Sequence, residues 1–177
     1  MMDFKSRSQP SPILSALALS FVLWIFCSLP SNLLAQPPLP GVSEPVEVAR
    51  VIDGDTIELV GGERIRYLGI DAPETHRKVN GQWIPVGEPF SREAAEFNRQ
   101  RVEGEKVRLE FDEDTHDRFR RLLAYVFIGD DMVNVELIEE GLVRVRIHPP
   151  NSKYEKLFIR TQDQARAQGR GLWGLKP

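Results

Sequence analysis

Three short segments of alternating apolar and polar residues, separated by tight turn signals, constrain the fold most strongly. They cover residues 46–52, 56–60 and 64–70, and the turns between them are marked by Asp53-Gly54 and Gly61-Gly62. Alternation with a period of two is typical of β-strands that bury one face. We therefore predict that the folded region begins as a meander of three antiparallel strands.

The rest of the sequence mixes helical and extended patterns. Helices are predicted over 89–102, 132–140 and 152–168, strands over 106–111 and 122–128, and a short extended segment over 143–147. Residues 75–88 are polar and show no period, which predicts a long loop. Three strands, a helix, two strands and two helices favour an α+β fold on a small five-stranded barrel, of which the OB-fold is one kind.

The N-terminal 36 residues differ in composition from the rest of the chain. Lys5 and Arg7 precede an apolar run of 17 residues from Ile13 to Leu29, and Ala35 offers a small residue for cleavage. This pattern is typical of a secretory signal peptide. An uncleaved membrane anchor and a buried helix are the alternatives, since this run is close to the shortest that spans a bilayer.

Beyond this segment, a Pro-rich linker is expected over 37–44 and the folded domain over 45–175. The one cysteine of the chain, Cys27, precedes the domain, so we expect no disulfide to stabilise it. The protein is expected to be secreted or held in the cell envelope, as a monomer with no protein partner. Membrane association is expected only if the N-terminal segment is retained.

The charge balance argues against one class of nucleic-acid protein. The chain has 23 Lys and Arg residues against 26 Asp and Glu residues, and residues 37–177 have 21 against 25. Proteins that coat nucleic acids are usually basic overall. A polyanionic substrate would therefore have to bind a local basic site, helped by a bound cation.

Two acidic residues flank a proline in the segment IDAPETH, residues 70–76. The spacing of Asp71 and Glu74 is close to that of a capping box, with Pro73 in the first turn of a helix. The same spacing can also direct two carboxylates toward one ion or one water molecule. Both interpretations are open at this point.

The pairing of the second and third strands follows from their buried faces. A three-residue loop at Gly61–Glu63 is predicted to place Leu59 opposite Ile65 and Ile57 opposite Tyr67, because all four residues then face the core.

This register makes a metal site one interpretation of the acidic residues. It places Asp55 opposite Gly69, with Asp71 two residues further along the same face, about 7 Å away. Two carboxylates, a main-chain carbonyl and water molecules would suit Ca²⁺. The alternative is that residues 53–56 are an ordinary turn and that Asp71 caps a helix. The acidic run 112–117 is interpreted as a solvated loop.

The segments VARVIDGDTIEL, YLGIDAPETH and DRFRRLLAYV, supported by VNVELIEEGLVRV, resemble the staphylococcal nuclease (thermonuclease) family. The similarity runs from about Val46 to Trp173, with the motifs in the same order and spacing. The family has an OB-fold barrel that carries three helices. Its members hydrolyse phosphodiester bonds of DNA and RNA with Ca²⁺ and leave 3′-phosphate ends, so the resemblance implies such a hydrolase here.

The resemblance also implies a role for each residue at a matching position. The implied roles are metal ligation by Asp55, Asp71 and the main-chain carbonyl of Ala72, general base catalysis by Glu74, phosphate binding by Arg66 and Arg121, and further substrate binding by Arg118 and Phe119. The predicted register points Arg66 away from Asp55, so its place in the site rests on the resemblance. An ion pair with the run 112–117 is the alternative role of Arg121.

Three positions depart from the family pattern. Phe119 and Arg120 stand where the family often has Tyr and Gly, and the family's stacking tyrosine is missing near Ile147-His148. Arg120 is expected to be strained if its main chain needs a positive φ. These changes bear on base preference and affinity. The alternative function is a non-catalytic OB-fold module that binds single strands by stacking on Phe119 and Trp83.

Overall fold

The computed structural model describes residues 41–79 and 81–175, with only the main chain described at 77–79 and 83. The predicted signal or anchor segment, residues 1–36, lies outside the described residues. Within the described part, none of the helices combines the length and the apolar character that crossing a membrane requires.

The described residues form ten strands, three α-helices and a C-terminal 3-10 turn. The strands are β1 (Val46–Asp53), β2 (Thr56–Leu59), β3 (Arg64–Tyr67), β4 (Ile70–Asp71), β5 (His76–Val79), β6 (Gln82–Pro85), β7 (Lys106–Glu110), β8 (Leu122–Ile128), β9 (Asp131–Met132) and β10 (Arg144–Val145). The helices are α1 (Ser91–Val102), α2 (Val133–Glu139) and α3 (Glu155–Ala167), and the 3-10 turn is Gly171–Gly174. The three predicted helices therefore match the structure to within three residues at each end.

Five of these strands close into a barrel. The order in the sheet is β3-β2-β1-β7-β8, and β3 also pairs with β8 in parallel, which joins the two edges. Helix α1 packs against β1, and α2 packs against β8 and α3. The predicted α+β fold, a five-stranded OB-fold barrel with three helices, is confirmed.

The core shows why the alternating segments form strands. Ile57 and Ile65 are fully buried and lie opposite each other on β2 and β3. Burying a side chain of this size stabilises a fold by about 1.5–3 kcal/mol. Under α3, the ring of Tyr125 meets that of Tyr154 edge-on with centroids 4.7 Å apart, and Phe158 packs beside both.

The register predicted between β2 and β3 is wrong by two residues. Ile57 lies opposite Ile65, not Tyr67. The loop begins one residue earlier than predicted, because the N–H of Leu59 donates to the main-chain oxygen of Glu63 at 2.9 Å, and Gly62 closes the turn with a φ of 89°. A shift of two residues keeps every side chain on its predicted face.

Two further predictions are corrected. The third strand was predicted to run to Ile70, but β3 ends at Tyr67 because Gly69, with a φ of 74°, turns the chain. A Cβ atom at Gly69 would lie 2.6 Å from Cε2 of Phe158, so only glycine fits under α3. The predicted loop 75–88 contains the hairpin of β5 and β6. The side chains described in this hairpin, those of His76, Gln82, Ile84 and Pro85, are all exposed, so they show no alternation between a buried and an exposed face.

Candidate active site

The first part of the site is a turn that holds Asp55 in the protein interior. A Cβ atom at Gly54 would lie 2.7 Å from the Cβ atoms of both Ala72 and Ala94, so glycine permits this close approach. The N–H of Ala72 consequently reaches Oδ2 of Asp55 at 2.6 Å. Asp55 is only 1% exposed. A buried carboxylate needs charged or hydrogen-bonding partners, and the surrounding chain supplies them.

The second part is an arginine between two carboxylates. The Arg66 guanidinium forms an ion pair with Asp55, and its Nη2 lies 2.7 Å from Oδ1 of Asp71. Nη2 also donates to the main-chain oxygen of Ile70 at 3.3 Å. The expectation that Arg66 points away from Asp55 is therefore wrong. The turn at Gly69 brings Asp71 back beside the end of β3, where one side chain reaches both acids.

Burial and neighbouring charges perturb the ionisable groups of this cluster. Burial lowers the pKa of Arg66 from its ordinary value, and nearby Arg121 acts in the same direction, while Asp71 and Asp53 oppose them. Burial raises the pKa of the Asp53 carboxyl, against the hydrogen bond from Thr56 and the charges of Arg66 and Arg121. Groups perturbed by burial and specific charge partners are typical of functional sites.

The third part is the loop that carries Arg121. Oδ1 of Asp117 accepts the main-chain N–H of Phe119 at 2.8 Å and that of Arg121 at 3.0 Å. Oδ2 of Asp117 accepts Nε of Arg121 at 2.7 Å. The ion pair considered as an alternative for Arg121 is thus present. The parallel pairing of β3 and β8 aligns Arg66 with Leu123, two residues after Arg121. Arg121 is close enough for its charge to act on both Arg66 and Asp53.

The tip of this loop exposes an aromatic ring between cations. Phe119 is 65% exposed. The guanidinium carbons of Arg118 and Arg121 lie 4.7 Å and 5.6 Å from its ring centroid. Arg120 has a φ of 63°, which is the positive φ under which its main chain is expected to be strained. The loop can present a stacking surface and positive charge to a ligand.

Glu74 lies in the segment after β4. The main chain of this segment is tied to the chain after β6, because the N–H of Glu74 donates to Oε2 of Glu88 and the N–H of Glu88 donates to the oxygen of Glu74, both at 3.2 Å. Pro73 is buried and Glu74 is exposed. Residues 71–79 contain no helix, so the capping-box interpretation of Asp71 and Glu74 is wrong.

Sequence reasoning missed three residues that shape the site. Asp53 was interpreted only as a turn residue, and the tie between Glu88 and Glu74 has no sequence signal. Arg146 was assigned only to an extended segment, yet its Nη1 lies 3.0 Å from Oδ2 of Asp71. Alternation of basic and apolar residues around Arg146 was the available signal.

The donor set fits a hard cation, although no three acidic, His or Cys side chains of the described residues cluster as a metal site. The carboxylates of Asp55 and Asp71 converge on one positive charge, that of Arg66. Carboxylate and main-chain oxygens are the ligands that Ca²⁺ takes in proteins. Two side chains are too few to hold Ca²⁺ alone, so main-chain oxygens and water would have to complete its shell.

Comparison with known proteins decides the family. Residues 64–174 match the model of the family described as staphylococcal nuclease homologue. The chain belongs to this family. It is 40% identical to the thermonuclease of Staphylococcus intermedius over 129 residues, which are 71% of this chain and 74% of that protein.

Two further relatives are also named as nucleases. The chain is 38% identical to the thermonuclease of Staphylococcus hyicus over 130 residues, covering 72% of this chain and 74% of the relative. It is also 38% identical to endonuclease YncB of Bacillus subtilis (strain 168) over 133 residues, covering 72% and 61% respectively. With these relatives and this family, the protein is an enzyme, a hydrolase of the nuclease type.

Proposed function

We propose that the protein is an exported, Ca²⁺-dependent nuclease that hydrolyses phosphodiester bonds of DNA and RNA and leaves 3′-phosphate ends. One observation carries the proposal: Asp55 and Asp71 converge on Arg66, and the charge of Arg121 acts on the same arginine. This cluster combines oxygen ligands for a cation with guanidinium groups for an anion. It is the combination that hydrolysis of an anionic ester requires.

The two arginines supply binding energy for the phosphate. A phosphodiester is anionic, and attack by water builds further charge on its non-bridging oxygens. Arg66 and Arg121 can each donate two hydrogen bonds to such oxygens. Donors placed where charge develops are worth a few kcal/mol each in the transition state. Because Arg66 is bound to Asp55 and Asp71, a phosphate must replace part of these contacts.

Glu74 is the proposed general base. It is exposed three residues after Asp71, and the rigid Pro73 links it to the strand that carries Asp71. A carboxylate that takes the proton of the attacking water typically contributes 10²–10⁴-fold to the rate. The ties to Glu88 hold the main chain of this residue in place.

Asp55, Asp71 and the main-chain oxygen of Ala72 are the proposed holders of Ca²⁺. When bound, the ion would supply Lewis-acid stabilisation of the phosphoryl oxygens. The protein holds both carboxylates in position. Asp55 accepts a hydrogen bond from the N–H of Ala72, and Asp71 lies opposite Arg144 in the pairing of β4 with β10.

Digestion assays test this proposal. Supercoiled plasmid and single-stranded RNA are incubated with Ca²⁺, with Mg²⁺ and with a chelator, and cleavage is expected with Ca²⁺ only. Glu74→Gln and Arg121→Ala should abolish most cleavage, whereas the matched surface variants Glu139→Gln and Arg50→Ala should not. Product ends that a polymerase extends only after phosphatase treatment would support 3′-phosphates.

Two results would contradict parts of the proposal. Full activity in chelator would remove the metal from the mechanism. Intact nucleic acid after prolonged incubation with Ca²⁺, combined with tight binding, would favour the non-catalytic single-strand binding module, for which the exposed ring of Phe119 provides a surface. N-terminal sequencing of protein recovered outside the cytoplasm tests export and cleavage; a start at Met1 argues against cleavage.

A further inference from the structure

A row of basic residues runs along the chain that leads away from Asp71. Exposed Arg144, Arg146 and His148 alternate with the partly buried Val145 and Ile147, whose side chains pack against the core. Alternate residues of an extended segment project from one side, about 7 Å apart. We call Arg144, Arg146 and His148 the basic strip.

The basic strip starts beside the cluster already described. Arg144 is the register partner of Asp71 in the antiparallel pair of β10 and β4, so their side chains share one face. The N–H of Arg146 donates to the oxygen of Gly69 at 2.9 Å, and its Nη1 lies 3.0 Å from Oδ2 of Asp71. Asp71 therefore has arginines of the strip on one side and Arg66 on the other.

Most side chains of the strip are not engaged by other side chains of the described residues. Among the described residues, Arg144 and His148 have no ion pair or side-chain hydrogen bond. The side chain of Arg146 is 58% exposed, and an ion pair so open to solvent contributes little to stability. Arg144 also lines a shallow recess with Pro73 and Glu88, next to the segment that carries Glu74.

We infer that the basic strip is a binding site for the backbone of the substrate strand beyond the reacting phosphate. This inference rests on the proposed function, since the strip must continue a path that begins at the phosphate bound by Arg66 and Arg121. The occupant is a single-stranded stretch of polynucleotide, whose repeated negative charges complement a row of alternate basic residues. A chain with net negative charge needs such a local basic site to attract a polyanion.

Binding measured without cleavage tests the strip separately from catalysis. Fluorescence anisotropy follows the affinity of labelled single-stranded DNA of about 16 and about 4 nucleotides in the presence of a chelator. Arg144→Ala/Arg146→Ala should weaken binding of the longer strand by about tenfold at low salt and of the shorter strand by less. The dependence of log K on log salt should become less steep by about 0.7 for each phosphate that the variant no longer neutralises.

The design includes matched controls. Arg50→Ala/Lys106→Ala removes the same amount of charge from β1 and β7. Lys106 lies opposite Glu47, at the end of β1 that is far from Asp53. This control variant should not change the salt dependence of binding. Arg144→Ala and His148→Ala are also measured singly, because Arg146 is the residue of the strip that forms an ion pair with Asp71. Melting temperatures show that each variant is folded.

The outcomes separate the two proposals. Weaker binding and a shallower salt dependence in the strip variants, but not in the control, support the strip. Equal affinity and the same salt dependence in Arg144→Ala/Arg146→Ala and wild type overturn it, even if the enzyme cleaves DNA. A wild type that binds through the strip but never cleaves would refute the proposed nuclease mechanism and leave the strip supported.

Discussion

Asp117 binds Arg121 through both the main chain and the side chain of the arginine. One carboxylate oxygen accepts the N–H of Arg121 at 3.0 Å and the other accepts its Nε at 2.7 Å. The same carboxylate thus closes the loop and sets the direction of the guanidinium. Asp117 is a positioning residue for Arg121.

Removing this carboxylate should lower turnover. In Asp117→Ala the loop loses the carboxylate that accepts its main-chain N–H groups, and the Arg121 side chain is no longer held in one orientation. We therefore expect kcat to fall by about 10- to 100-fold, as for a misplaced catalytic group. Initial rates on single-stranded DNA with saturating Ca²⁺ measure the effect. Glu113→Ala, which removes an exposed acid of the same run, should keep the wild-type rate. A wild-type kcat in Asp117→Ala would show that Arg121 needs no such anchor.

The pairing also predicts how stability depends on pH. Burial acts to raise the pKa of Asp117, but the hydrogen bonds and charge of Arg121 outweigh it and hold this pKa below its ordinary value. The deprotonated carboxylate therefore stabilises the folded state fully above the pKa of the unfolded chain, about 3.9. This contribution disappears as the pH falls through the lower pKa of the folded protein.

Urea unfolding of wild type and Asp117→Asn at pH 7 and at about pH 3 measures this dependence. The free energy of unfolding of the wild type should exceed that of the variant at pH 7, and the difference should shrink at the lower pH. A difference that grows on acidification would contradict the sign.

Replacing the two acids of the IDAPETH segment one at a time should change different quantities, Ca²⁺ affinity for Asp71 and kcat for Glu74. Asp71→Asn should weaken Ca²⁺ binding at least about tenfold, because one of the two proposed carboxylate ligands loses its charge. Glu74→Gln should leave Ca²⁺ affinity unchanged and lower kcat by about 10²–10⁴-fold. Calorimetric titration with Ca²⁺ and initial rates separate the two quantities. If both variants lost only metal affinity, Glu74 would be a ligand and not the base.

The left-handed main chain at Arg120 predicts a stabilising substitution. Side chains other than glycine cost about 1–2 kcal/mol in this conformation, so Arg120→Gly should raise the free energy of unfolding by about 1 kcal/mol. Affinity for single strands should fall, because a positive charge beside Phe119 is removed. Arg118→Gly, at a neighbouring position without positive φ, should instead lower stability. Equal stability of Arg120→Gly and wild type would show that the loop relaxes this strain.

Much of the barrel is predictable because its first three strands bury mainly one face, whereas β8 is a continuous apolar run that is buried on both faces. Burial imposes alternation, and alternation marked β1, β2 and β3 and put Ile57 and Ile65 in the core. Their register was not predictable to the residue, since a main-chain hydrogen bond from Leu59 to Glu63 sets where the loop begins. The hairpin of β5 and β6 was missed because residues 75–88 are mostly polar and show no period of two in the sequence.

The site is less predictable than the fold for a geometric reason. Asp55 and Asp71 were paired from the parity of a straight strand, whereas the chain turns at Gly69 before Asp71. That turn brings Asp71 to Arg66, and Asp55 lies in the turn before β2, where the alternation of a strand does not set the direction of its side chain. Contacts between distant segments, such as Arg146 with Asp71, depend on how β10 docks and leave no local pattern.

The parallel pairing of β3 with β8 has a consequence for the cell that makes this enzyme. The segments that carry Arg66 and Arg121 come together only when these strands pair, and β8 is the last strand of the barrel to be synthesised. A chain still emerging from the ribosome can contain Asp55, Arg66, Asp71 and Glu74 and yet lack the second arginine. If Arg121 binds the phosphate as proposed, a copy of the chain that ends before β8 would lack a group needed for cleavage.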